Sequence, residues 1–159
     1  MKYSLGQKSS SNLKGVHPDM VAIVQRAIEI TEQDFAVHEG VRSPETQRIY
    51  LMKGVTKTLE SRHLPGKDGF GKAVDLVPVV DGTLRWEWEP IFKIAVAVDQ
   101  AATELGVPIR WGGVWDKLMS EYGGSPEAMK AEVAAYCVRH PGPDFLDGPH
   151  YELCKKVYP

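Results

Sequence analysis

His63, Asp75 and His150 are the residue types from which a catalytic zinc site is built. His63 falls in a loop, Asp75 on a strand just behind it, and His150 opens a strand far along the chain. Two histidines and one carboxylate leave a fourth coordination position for water. Zinc lowers the pKa of such a water to about 7, which makes hydroxide available at neutral pH. Hydrolysis then needs a second carboxylate to accept the proton and return it. Asp147 precedes His150 across a Gly-Pro turn, near the metal without having to be a ligand. A cation must also hold the substrate or the developing oxyanion. Arg42, at the end of a strand, fits that need, and Gln47 follows a turn later. Spacing alone does not single out this set, because five histidines and 21 acidic residues allow many triples.

The elements that must position these residues mix helices and strands without a βαβ repeat, which gives an α+β class. Residues 1–16 are polar and Ser-rich and read as a loop with little regular structure. His17-Pro18 opens a helix, with Met20, Ile23, Val24, Ala27 and Ile28 at helical spacing through about residue 33. Phe35-Ala36-Val37-His38 is a short strand. Pro44 starts a second helix, which offers Ile49, Leu51 and Met52 to the core and stops at Gly54. A Gly- and Pro-rich loop runs from Ser61 to Gly71. Residues 73–80 form a strand, and Asp81-Gly82 is a turn signal. A long helix spans about Glu89 to Leu105. Its inward face carries Phe92, Ala95, Val96, Asp99 or Val98, Ala102 and Leu105, and Gly106 sits just past its end. Pro108 to Trp111 is a strand. Ser125 caps a helix that runs to about Arg139, and Pro149 to Leu153 is the last strand.

Ser61-x-His63, followed by Gly71-x-Ala73-x-Asp75, resembles the S-x-H-x-x-G-x-A-x-D signature of zinc D,D-peptidases and L-alanyl-D-glutamate peptidases. Residues 145–153, with an acid three residues before a His, resemble that group's second motif. Glu39-Gly40-Val41-Arg42-Ser43 resembles its arginine segment, and Arg110-Trp111-Gly112-Gly113-Val114-Trp115 its Trp-Gly-Gly element. The four elements keep the family's order between residues 39 and 153. One departure is clear. His63 and Asp75 stand twelve apart, farther than in the signature, and the extra residues fit within the loop 64–70. Loop closure tolerates such an insertion, since its entropic cost rises slowly with length. Asp68 is the competing carboxylate.

The resemblance implies one zinc ion per chain, held by His63, Asp75 and His150. It makes Asp147 the general base. Arg42 binds a substrate carbonyl or carboxylate, and Ser61 holds the substrate backbone. Gln47 is placed in the substrate site beside Arg42 by its position, and Trp111 or Trp115 is expected to line the cleft because pockets are enriched in aromatics. The implied fold is that of the D,D-peptidase and hedgehog type, a small antiparallel sheet flanked by helices. The implied reaction is hydrolysis of peptidoglycan stem peptides, foremost at the L-alanyl-D-glutamate bond. The alternatives are a D-alanyl-D-alanine carboxypeptidase and a non-catalytic peptidoglycan-binding relative, and the presence of Asp147 favours an enzyme.

Size and charge sharpen these expectations. The chain has 159 residues, one domain by length, which leaves little room for a separate wall-binding module. Nineteen basic and 21 acidic residues give a net charge of -2, without the basic footprint of nucleic-acid binding. No apolar run reaches the length of a membrane span or a signal peptide. These features fit a monomeric phage endolysin, made in the host cytoplasm and reaching the wall once the membrane is permeabilised. Cys137 and Cys154 read as free thiols, buried or half-buried. His17 reads as a helix-capping or surface residue, His38 as structural, and His140 as an exposed helix-end cation.

Overall fold

The computed structural model describes residues 2–54, 61–142 and 145–159. In chain order the elements are α1 (Gln7–Asn12), α2 (Pro18–Ile30), β1 (Phe35–Glu39), α3 (Pro44–Met52), β2 (Ala73–Val80), β3 (Thr83–Leu84), α4 (Trp88–Leu105), β4 (Ile109–Trp111), β5 (Val114–Leu118), α5 (Pro126–Arg139) and β6 (His150–Leu153). The strands form one sheet in the order β1-β2-β6-β4-β5, with β3 folded back on β2. Every pairing is antiparallel. The architecture is the α+β arrangement expected of the sequence.

Register divides the sheet into two chemically different faces. Asp75 lies opposite His150 and Ala73 opposite Glu152, while Val74 lies opposite Tyr151. On the other side of β6, Arg110 faces Glu152, Ile109 faces Leu153 and Trp111 faces Tyr151. Side chains alternate along a strand. Val74, Leu76, Ile109, Trp111, Tyr151 and Leu153 therefore share one face and join the apolar core. Asp75, Arg110, His150 and Glu152 share the other. Helices α2 and α4 supply much of the remaining core through Met20, Ile23, Val24 and Ala27 and through Ile91, Ile94, Ala95 and Val98.

A bulge changes this alternation on β1. Val37 faces Leu76, but the next partner of Asp75 is Glu39, so His38 is the extra residue. Bulges re-aim side chains beside functional sites. Here the bulge turns Glu39 onto the face that carries Asp75.

Several local signals act as expected. His17 caps α2 by accepting from the Asp19 amide at 3.1 Å. Ser43 and Ser125 cap α3 and α5. Gly106 closes α4 at φ 68. His140 ends α5 and pairs with Asp116 at 3.0 Å. Both cysteines are free. Cys154 is buried, but Cys137 is exposed rather than packed.

Four expectations are corrected. The segment 1–16 contains α1, a Ser-rich helix too short to be favoured by propensity. Tertiary contacts hold it: Ser9 Oγ accepts from Val37 N at 3.0 Å, and Asn12 Nδ2 donates to Val37 O at 2.8 Å. Ile49, Leu51 and Met52 of α3 are exposed, Met52 at 86%, because that helix buries Gln47 instead. Leu105, the last residue of α4, is exposed. Val114–Leu118, read only as part of a Trp-Gly-Gly motif, is a full strand paired with β4.

Trp111 is the keystone of the apolar face. It is fully buried, stacks on Tyr151 with centroids 6.5 Å apart, and donates from Nε1 to Gly148 O at 2.7 Å. Truncating a buried Trp to Ala costs about 3–5 kcal/mol. Trp111→Ala is expected to lose that much in denaturant unfolding. A loss under 1 kcal/mol would contradict this packing role.

Candidate active site

The polar face of the sheet opens into a cleft of about 580 Å³, lined by Arg42, Ser61, His63, Asp75, Asp147 and His150 among others. Within it, His63, Asp75 and His150 each offer one ligand atom, and these atoms all lie within 4.8 Å of one another. Asp75 Oδ1 stands 3.2 Å from His63 Nε2 and 3.4 Å from His150 Nδ1. The group can hold a metal ion. Asp68 lies outside it. Its carboxylate is committed to the buried Lys72, at 2.7 Å, which folds the inserted loop onto itself together with the Phe70 carbonyl at 2.8 Å.

Each ligand candidate is fixed from behind. His63 Nδ1 lies 2.8 Å from Gly40 O. A carbonyl only accepts, so Nδ1 carries a proton and Nε2 is the nitrogen turned to Asp75. Arg42 N donates to His63 O at 2.9 Å, which ties the His63 loop to the end of β1. His150 Nε2 lies 2.9 Å from Glu152 Oε1. The rings of His63 and His150 meet edge to face at 5.0 Å.

The charge balance asks for a cation. Asp75 Oδ1 is buried and has no hydrogen-bond partner. A buried acceptor left unpaired costs about 1–3 kcal/mol, more when charged. Burial raises the Asp75 pKa, but His63 and His150 outweigh it and hold the carboxyl well below its ordinary range. Burial alone lowers His150, but the adjacent carboxylates of Asp75 and Glu152 raise it to about 10. A proton therefore occupies His150 when no metal does. An orphaned carboxylate oxygen facing two imidazole nitrogens is a donor set that fits a divalent metal ion.

Asp147 stands beside this group without belonging to it. Burial first, and the charge of Asp75 second, push its carboxyl up to about 6, against the pull of His150, His63 and Arg42. Its backbone is docked at both ends: Asp147 N donates to Gly112 O at 2.9 Å, and Asp147 O accepts from His150 N at 3.0 Å. A Cβ on residue 112 would collide with the Asp147 carbonyl, so only glycine permits this approach.

Arg42 is held on all sides. Nε and Nη2 donate to the two Glu39 oxygens at 2.6 and 2.8 Å. Nη1 donates to Gln47 Oε1 at 2.6 Å and to Ser61 Oγ at 3.4 Å, and the guanidinium lies 4.7 Å from the Tyr50 ring centre. Ser61 Oγ also accepts from His63 N at 3.1 Å. Gln47 is buried behind Arg42. Trp111, expected in the substrate site, lies in the core instead, because the odd-numbered side chains of β4 face the helices. The aromatic cleft walls are Trp86 and Trp115, with Trp115 tilted over His150 at 5.2 Å. His38 lies at the cleft beside Trp86, at 5.4 Å.

Glu39, Tyr50 and Glu152 carry no role in the sequence reading. Glu152 was within reach of it: two residues beyond His150 on a strand, it must share that face. Glu39 was not, because only the bulge at His38 turns it inward.

The chain matches the phage L-alanyl-D-glutamate peptidase family over residues 1–132. It is 27% identical over 120 residues to the L-alanyl-D-glutamate peptidase of Escherichia phage T5, covering 73% of this chain and 84% of that protein. It also resembles the crystal structure of the Serratia marcescens L-Ala D-Glu endopeptidase ChiX. That likeness has a TM-score of 0.73 and 34% identity over 99% of this chain and 96% of the other. The chain belongs to the phage L-alanyl-D-glutamate peptidase family. The family match ends before Asp147 and His150, whereas the likeness to ChiX runs across the whole sheet.

Two outcomes follow from the geometry. A Cβ on residue 40 would collide with the Asn12 carbonyl. Gly40→Ala is expected to cost about 1–3 kcal/mol of stability and to weaken metal uptake, since Gly40 O holds His63. Unfolding at the wild-type midpoint would contradict it. Metal must also displace the His150 proton. Affinity should thus rise about tenfold per pH unit below the His150 pKa, read by calorimetry in buffers of different ionisation enthalpy. A pH-independent affinity with no proton release would refute this.

Proposed function

We propose that this protein is a zinc-dependent endopeptidase that cuts the L-alanyl-D-glutamate bond of peptidoglycan stem peptides during phage lysis. The observation that carries the reading is the buried His63–Asp75–His150 group with an orphaned carboxylate oxygen, in a chain of this peptidase family. His63, Asp75 and His150 would hold the ion, offering Nε2, Oδ1 and Nδ1. Zinc, when bound, supplies Lewis acidity that activates water and polarises a carbonyl.

The protein's own groups do the rest. The Asp147 carboxylate takes the proton of the attacking water as its oxygen adds to the alanyl carbonyl carbon. It then gives that proton to the glutamyl nitrogen as the C–N bond breaks, which leaves a free carboxylate and a free amine. A partly buried carboxyl with a raised pKa suits both halves of this exchange. Arg42, immobilised by Glu39, Gln47 and Tyr50, offers a fixed cation to a substrate carbonyl or carboxylate. Ser61 holds the substrate backbone beside it. We read the chain as a single catalytic domain acting as a monomer. No helix among the described residues is long and apolar enough to cross a membrane. Access to the wall is then supplied by permeabilisation of the inner membrane.

Digestion of purified sacculi followed by mass spectrometry tests the bond. Released peptides should begin with D-glutamate. Loss of a single terminal D-alanine would instead make the protein a carboxypeptidase, and no release at all would leave a binding domain. Asp147→Ala should lower turnover by about 10²–10⁴-fold while bound zinc stays at one per chain. His150→Ala should lose both. Full activity after exhaustive chelation, or in Asp147→Ala, would sink the corresponding assignment.

A further inference from the structure

We infer that Glu152 is a positioning residue that decides which nitrogen of His150 meets the metal. This rests on the zinc reading above. His150 has two ring nitrogens, and nothing in the residue itself prefers one. Its Nδ1 faces Asp75 Oδ1 at 3.4 Å, and its Nε2 faces Glu152 Oε1 at 2.9 Å. A carboxylate can only accept, so Glu152, the nearer of the two, keeps a proton on Nε2 and makes Nδ1 the nitrogen that a metal ion beside Asp75 would meet. His63 is set the opposite way, since its Nδ1 faces Gly40 O and its Nε2 faces Asp75. The two histidines thus present different nitrogens to one point, and each choice is made by a different kind of acceptor.

Glu152 is itself anchored. Arg62 Nε lies 3.7 Å from its Oε2, an ion pair rather than a hydrogen bond. Arg62 Nη2 is held by Leu153 O at 3.1 Å and Tyr158 O at 2.7 Å. Arg110 is its cross-strand neighbour on β4. Glu152 is buried, so its carboxylate has little freedom to leave His150. Acceptors behind metal-binding histidines raise ligand basicity and fix orientation, and losing one costs about 10–100-fold in metal affinity.

The test reads the ring proton and the metal separately. The full-length protein, labelled with ¹⁵N-histidine and loaded with zinc, is examined by long-range ¹H–¹⁵N NMR. His150 should carry its proton on Nε2 and none on Nδ1. A proton on Nδ1 would overturn the inference, and this spectrum needs no variant to fold. Zinc affinity is then measured by chelator competition. Glu152→Ala should weaken it about 10–100-fold. Glu152→Gln, whose amide oxygen can still accept from Nε2–H, should recover most of that loss. A folded Glu152→Ala that binds zinc as tightly as the wild type would overturn the inference, as would equal loss in both variants. Wild-type protein that takes up no zinc overturns the zinc reading along with it, a result distinct from any of these.

Discussion

Asp75 and His150 are directly opposed residues of the β2–β6 ladder, and the site is organised around the charge that this opposition buries. A carboxylate taken out of water is unfavourable unless it is paired and hydrogen-bonded. Here the ladder supplies one imidazole by register and the His63 loop supplies another. Because the pairing is a property of backbone hydrogen bonds, the distance between the two groups is set by the sheet rather than by mobile side chains. That is the rigidity a metal or catalytic constellation needs.

The same sheet has to satisfy two opposed demands. One face must be apolar enough to bury against α2 and α4, and the other must hold four charged or titratable groups beside a cleft. Strict alternation on β6 meets both, with His150 and Glu152 on one side and Tyr151 and Leu153 on the other. On β1 alternation would fail, and the extra residue His38 repairs it by bringing Glu39 round to Arg42. The cation in the cleft is therefore fixed by an irregularity, and the Asp75–His150 pair by a regularity.

The sequence makes legible what depends on residue type and local pattern. His63, Asp75, His150, Asp147, Arg42 and Ser61 are brought to one cleft, and β2, α4 and α5 fall where periodicity and capping residues put them. It misleads where tertiary contacts overrule local preference. Nothing in Gln7–Asn12 favours a helix by itself, and the apolar residues of α3 stay in solvent. Trp111 was placed at the substrate because aromatics are common in pockets. Parity along β4 sends it to the core, and parity can be read only once register is known. The glycines at 40 and 112 were seen as motif members. Their physical reason, backbone approaching backbone from distant segments, exists only in the folded chain.

Helix α1 has a consequence beyond holding Gly40 in place. β1 lies at the end of the strand order, so its outer row of backbone groups meets no strand among the described residues. Such a row is a template on which another chain can add itself. Ser9 and Asn12 occupy the Val37 amide and carbonyl, so six residues with little helical tendency cover part of that edge. The covering of that edge depends on a segment that looks dispensable in one dimension.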